Sequence, residues 1–128
     1  MKEKMKILVG VDGSDYSTWG LMEAISIAKK FSGHIKVITV YKRGGGDEAT
    51  KTQLKAKQLL VEEGIDSSLS AILGSNPSRA LVDTAKSEGF DLIVVGSRGL
   101  GSAAAFLLGS VSKRVVSKAS CDVLVVKK

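Results

Sequence analysis

Apolar residues occur along this chain in short bursts, some continuous and some at helical spacing. Lys6–Asp12 (KILVGVD) is a brief, partly β-branched run that predicts a first strand, β1. From about Tyr16 to Phe31 the apolar positions Trp19, Met22, Ile25 and Ala28 fall on one helix face, giving α1, and Gly33 stops it. His34–Tyr41 (HIKVITVY) predicts β2. The tract Arg43-Gly44-Gly45-Gly46 is a flexible connector, and Asp47 is placed to cap α2, which runs to Glu63 and stops at Gly64. Ile65–Leu73 predicts β3. Asn76 caps α3, Pro77 takes its first position and Gly89 ends it. Asp91–Val95 is short and apolar throughout, as expected of a strand buried on both faces, β4. A segment rich in Gly, Ser and Ala leads to α4, about Ser110–Lys118, and Cys121–Val126 predicts β5.

Strand and helix signals alternate without an internal repeat or a break in composition, so one domain over residues 1–128 is expected. The order predicts an α/β fold with a mainly parallel sheet and helices on both faces, a three-layer sandwich. Its crossovers should be right-handed. Such sheets bind ligands beyond the carboxyl ends of strands, where the strand order reverses. The loops after β1, β2 and β4 should therefore carry the function.

Composition narrows this further. The chain has 128 residues, 44% hydrophobic and 25% charged, which suits one well-packed core and excludes a mainly disordered chain. The net charge of +6 could mark a nucleic-acid surface. Here, however, the charge is spread over Lys2, Lys4 and Lys6, over Lys127 and Lys128, and over Lys113, Arg114 and Lys118. No aromatic residues interleave with it for base stacking, so solvated basic ends are expected rather than a nucleic-acid partner. Cys121 is the only cysteine, which excludes an intrachain disulfide and fits a reducing compartment. The apolar run Ile7–Val11 is shorter than a signal-peptide core, and no segment has the length of a membrane span. A cytoplasmic protein without membrane contact is expected.

The strongest chemical pattern is Gly96-Ser97-Arg98-Gly99, nine residues, then Gly109-Ser110. Gly96 follows β4 and Gly109-Ser110 opens α4. Glycine lets a backbone approach a ligand closely. A helix start offers unpaired N–H groups and the positive end of its dipole, which suits an anion. The plain alternative is a tight strand-to-helix turn with Ser110 as an ordinary cap. A dinucleotide fingerprint at Gly99–Ala104 is discounted, because its acidic partner, Asp122, falls at the wrong end of β5. No Gly-Lys-Ser/Thr triplet exists, which excludes a Walker-type loop.

Val11-Asp12-Gly13-Ser14 ends β1. Its carboxylate can accept from a ribose hydroxyl or an adenine amino group, or simply form the turn. Arg98, Lys42 and Arg43 lie on the same side, to neutralise phosphate or as solvated loop charges; the solvated reading is preferred for Lys42 and Arg43. Turn and cap chemistry accounts for Gly74–Pro77. His34 is the only histidine and starts β2, opposite the expected ligand edge. A catalytic histidine, a Ser-His-Asp triad and metal-ligand spacing are therefore not expected.

These residues resemble the universal stress protein family along the whole chain. The resemblance rests on Gly96, Gly99, Gly109 and Ser110 at the family's spacing, and on Val11-Asp12-Gly13-Ser14 with Ser17. It rests also on Asp91–Gly99, Gly109–Ser112 and Cys121–Val126. It implies a Rossmann-like five-stranded parallel sheet in the order 3-2-1-4-5, like the adenine nucleotide alpha hydrolases. It also implies ATP or AMP, with any Mg2+ or Mn2+ carried by the nucleotide.

On that resemblance Val11, Asp12 and the Val40 backbone would hold adenine and ribose, and Gly96 would face the ribose. The backbones of Gly99 and Gly109, with Ser110, would hold phosphates, with Arg98 beside them. A homodimer through Val123–Val126 and a regulatory role in stress response, acting on a protein partner, are implied too. The alternatives are a dimeric interaction module with a weak or empty site and a slow ATPase. Two departures stand out. The β2–α2 connector is short, and Ser102–Ala105 lacks the polar residues common there.

Overall fold

The structure, a computed structural model, describes residues 4–98 and 108–127. Its elements are β1 (Lys6–Gly10), α1 (Asp15–Phe31), β2 (His34–Tyr41), α2 (Gly46–Glu62), β3 (Asp66–Leu73), α3 (Pro77–Glu88), β4 (Leu92–Gly96), α4 (Ser110–Lys118) and β5 (Asp122–Val126). The five strands form one sheet in the order β3-β2-β1-β4-β5, and every pairing is parallel.

The central strand explains why its sequence is a continuous apolar run. Ile7 and Val9 pack on one face with Leu21, Ala24 and Ile25 of α1 and Leu60 of α2. Leu8 points to the other face, with Leu81 and Ala85 of α3 and Val115 of α4. Ile7, Leu8 and Val9 are completely buried. Truncating any of them to alanine would cost about 1–5 kcal/mol.

The edges of the elements follow local chemistry. β1 stops at Gly10, short of Asp12, because Asp12 Oδ1 accepts from the Ser14 N–H at 2.9 Å and turns the chain. Gly13 sits in that turn at φ +89°, where a side chain would be strained. Ser14 then caps α1 by accepting from the Ser17 N–H at 3.2 Å. Asp47 does not cap α2 as expected. The Gly45 N–H donates to the Lys42 carbonyl at 2.8 Å, and this turn feeds the helix directly, so Gly45 holds the cap position. Asp47 lies in the first turn, where its charge still complements the dipole. α3 begins as its sequence implies, with Asn76 Oδ1 accepting from the Arg79 N–H at 3.1 Å. Asp91 precedes β4 and accepts from the Lys6 N–H at 2.9 Å, fixing β4 beside β1. Among the described residues no helix is long and apolar enough to cross a membrane.

Candidate functional site

Strand order reverses between β1 and β4: β1 leads through α1 to β2 on one side, while α3 returns the chain to β4 on the other. A cleft of about 540 Å³ opens there, at the carboxyl ends of β1, β2 and β4. That is a usual size for a small-molecule site. Val11, Asp12, Val40, Gly96, Arg98, Gly109 and Ser110 all line it. Gly99 lies outside the described residues.

The first wall is the loop after β1. The Val11 N–H donates to the Ile38 carbonyl at 3.0 Å, and the Val11 carbonyl accepts from the buried Thr39 hydroxyl at 2.8 Å. Gln53 of α2 donates to that hydroxyl at 2.8 Å. The Asp12 N–H donates to Ser17 Oγ at 3.2 Å, and Ser17 Oγ donates to the Ser14 carbonyl at 3.0 Å. The loop's backbone is thus held on several sides, while the Asp12 residue is exposed at the cleft.

The second wall is the end of β2. The Ile38 carbonyl bonds toward β1, and backbone direction alternates along a strand, so Val40 also turns its N–H and C=O toward β1. The β1–β2 register ends at Gly10 opposite Ile38. At Val40 the strand therefore offers the cleft a backbone donor and acceptor side by side.

The third wall joins β4 to α4. The Ser97 N–H donates to the Val126 carbonyl at 2.8 Å, which ties this loop to β5. The Ser97 carbonyl accepts from the Gly109 N–H at 2.7 Å and from Ser112 Oγ at 2.9 Å. Ser97 and Ser112 are both buried, and together they fix where α4 begins. The Gly109 N–H, expected to face a phosphate, is thus occupied by Ser97. The amides of Ser110, Val111 and Ser112 form the first helical turn, where no intrahelical acceptor exists, and all three residues line the cleft. They place the positive end of the α4 dipole at its edge.

Glycine at position 96 has a packing reason as well as its place in the cleft lining. A Cβ there would stand 2.6 Å from the Tyr16 carbonyl carbon, so the residue admits the first turn of α1. The charges around the cleft are Arg98, which is buried, the exposed Lys42, and Asp12. Lys42 was expected to be a plain loop charge and does line the cleft; Arg43 is not among the lining residues. Ser75 and Pro77, from the turn that caps α3, line it as well.

Ser97 and Ser112 had no place among the expected site residues. They stood only inside the matched stretches Asp91–Gly99 and Gly109–Ser112, without a role of their own. His34 lies at the other end of the sheet, at the start of β2. Its ring meets Asp66 at 3.0 Å and Ser68 at 3.2 Å. The hydrogen bond from His34, then that from Lys4, hold the Asp66 carboxyl below the usual carboxylate range. Burial pushes the Cys121 thiol up. Among the described residues no cluster of His, Cys, Asp and Glu could hold a metal ion.

Known proteins share this design. A universal stress protein of Methanocaldococcus jannaschii is 34% identical, over 96% of this chain and 82% of its own length. A universal stress protein solved in complex with cAMP superposes with a TM-score of 0.81 at 27% identity, covering 98% of each chain. The universal stress protein of Archaeoglobus fulgidus in complex with dAMP gives 0.80 at 25% identity, over 98% of this chain and all of its own. The sequence model of the universal stress protein family matches residues 4–127, and the chain belongs to that family.

Proposed function

We propose that the cleft binds an adenine nucleotide, ATP or AMP, and that the protein is a nucleotide-responsive regulatory module in stress response. One observation carries the reading: the open backbone edge of Val40 and the first turn of α4 line a single cleft at the strand-order reversal. Adenine presents an acceptor, N1, beside a donor, its amino group. A backbone N–H and C=O side by side complement that pair. The ribose hydroxyls fall to the Asp12 carboxylate, beside Val11 and Gly96. Phosphate goes to the first-turn amides of α4, at Ser110, with Gly109 and Gly99 framing the loop and Arg98 supplying charge. Each hydrogen bond to a charged acceptor contributes about 1.5–3 kcal/mol. The relatives solved with cAMP and dAMP support the same ligand class. A Mg2+ or Mn2+ ion would arrive on the nucleotide phosphates.

Binding without efficient turnover is part of the same proposal, as is a cytoplasmic setting. So is a homodimer through β5, an edge strand whose Val123–Val126 stretch is half-buried and apolar. Such an edge invites pairing with a second copy.

Isothermal calorimetry with AMP and ATP tests the central claim. Wild type should bind at micromolar to sub-millimolar concentration. Gly109→Val, which adds a branched side chain to the cleft wall, should weaken binding at least tenfold. Absence of binding by wild type at millimolar nucleotide would favour the interaction module with an empty site.

A further inference from the structure

Away from the cleft, α3 and α4 pack against each other and leave a second groove, of about 340 Å³. Arg79, Val82 and Asp83 of α3 line one side, and Arg114 and Lys118 of α4 line the other. Arg79 is partly balanced by Asp83, one turn along, at 3.5 Å. Among the described residues Arg114 and Lys118 have no acidic partner, and both are exposed. They stand one helical turn apart, so they share a face of α4. Lys86 follows Val82 by one turn on α3, outside the groove's lining. Val82 supplies an apolar floor, and the stems of arginine and lysine add apolar walls below their charges.

We propose that this groove docks an acidic amphipathic helix of a partner protein, with an apolar side chain on Val82 and carboxylates on Arg114 and Lys118. An apolar floor at Val82 beside the cationic rim of α4 complements one anchor of such a helix and the carboxylates next to it, while the paired Arg79 and Asp83 leave the α3 rim close to neutral. A nucleic acid fits less well. None of the lining residues is aromatic, so nothing there stacks on a base, and the apolar floor has no phosphate to meet. The fold also gives the site a useful address. Pro77 and Leu81 of α3 and Ser110–Ser112 of α4 line the nucleotide cleft, so the same two helices carry both surfaces.

The test uses the full chain without nucleotide, so its result is independent of the cleft's function. The probe is a fluorescent helical peptide of about 14 residues, with leucines spaced at i, i+3, i+4 and i+7 and glutamates elsewhere. Anisotropy should show saturable binding that weakens as salt rises. The double variant Arg114→Glu, Lys118→Glu should weaken it at least tenfold. Val82→Asp should do the same, with the thermal midpoint checked so that a folding defect is recognised. A peptide of equal charge with the leucines replaced by serine should bind at least tenfold more weakly. No binding by wild type overturns the proposal, as does equal binding by the serine peptide or by the double variant. Tighter binding of a short DNA duplex at the same residues would make this a nucleic-acid surface and overturn it too.

Discussion

A Cβ atom on Gly96 would stand 2.6 Å from the carbonyl carbon of Tyr16, so the end of β4 and the first turn of α1 touch backbone to backbone. Gly20 completes the contact, since a Cβ there would lie 3.5 Å from the Gly96 amide. Ser17 bonds the Asp12 amide from the same turn of α1. The contact therefore sets the distance between two cleft walls. Gly96→Ala should force α1 off β4 and destabilise the fold by about 1–3 kcal/mol. Urea midpoints measure this. An alanine variant as stable as wild type would show that Tyr16 can move aside freely.

Ser112 should matter to binding through α4 rather than through its own contact with a ligand. Its hydroxyl joins the start of the helix to the Ser97 carbonyl. Ser112→Ala leaves that carbonyl with the Gly109 N–H alone and removes a buried hydrogen bond, at about 0.5–1.5 kcal/mol. AMP affinity should fall several-fold, while adenosine affinity, which does not use the phosphate donors, should hold. Equal losses for both ligands would make Ser112 a general stability residue.

Much of this was legible in the sequence, because parallel strands buried on both faces read as continuous apolar runs. His34–Tyr41 and Ser110–Lys118 have the same bounds in the structure as in the sequence reading. The end of β1 was harder. Val11 extends the apolar run, but the Asp12 carboxylate turns the chain at Ser14. Lys42 and Ser75 were explained by loop and cap chemistry alone. They reach the cleft because β2 and β3 end level, Tyr41 beside Leu73, and register between strands is a tertiary fact. The Ser97–Ser112 bond spans a long segment, so no local pattern announces it.

The β5 edge should make the protein a dimer. Val125→Pro removes a backbone donor from an edge strand, where proline is tolerated only if that donor is not needed. Light scattering should show wild type as a dimer at micromolar concentration and the variant shifted toward monomer. A monomeric wild type would remove β5 from consideration as an interface.

Acid should expose the pairing at the other end of the sheet. The Asp66 carboxyl is held low by His34 and Lys4, so its folded pKa lies below its unfolded value. Its contribution to stability is present above the unfolded pKa, near 4, and is lost as pH falls through the folded pKa. Asp66 is exposed, so the effect should be small. Asp66→Asn should lower the urea midpoint at pH 6 slightly and leave it unchanged at the acid end. An equal difference at both pH values would point to packing instead of charge.

Bound ATP should be hydrolysed slowly. Efficient hydrolysis needs an attacking water held in line with the transferred phosphoryl group, and a base or charge within reach of it. His34 begins β2 and the cleft lies at its other end, about 23 Å away at roughly 3.3 Å per residue. Asp12 lines the cleft, where its carboxylate is proposed to meet the ribose rather than the transferred phosphoryl group. Arg98 lines the cleft and can offset developing charge, but a cation does not abstract a proton. The α4 amides would hold phosphate in the ground state as well as the transition state, which favours binding over rate. Turnover should therefore fall far below the roughly 10 per second of a median enzyme. Phosphate release from highly purified protein measures it, with Asp12→Asn and Arg98→Ala as controls. Fast release that either substitution abolishes would make this protein an ATPase.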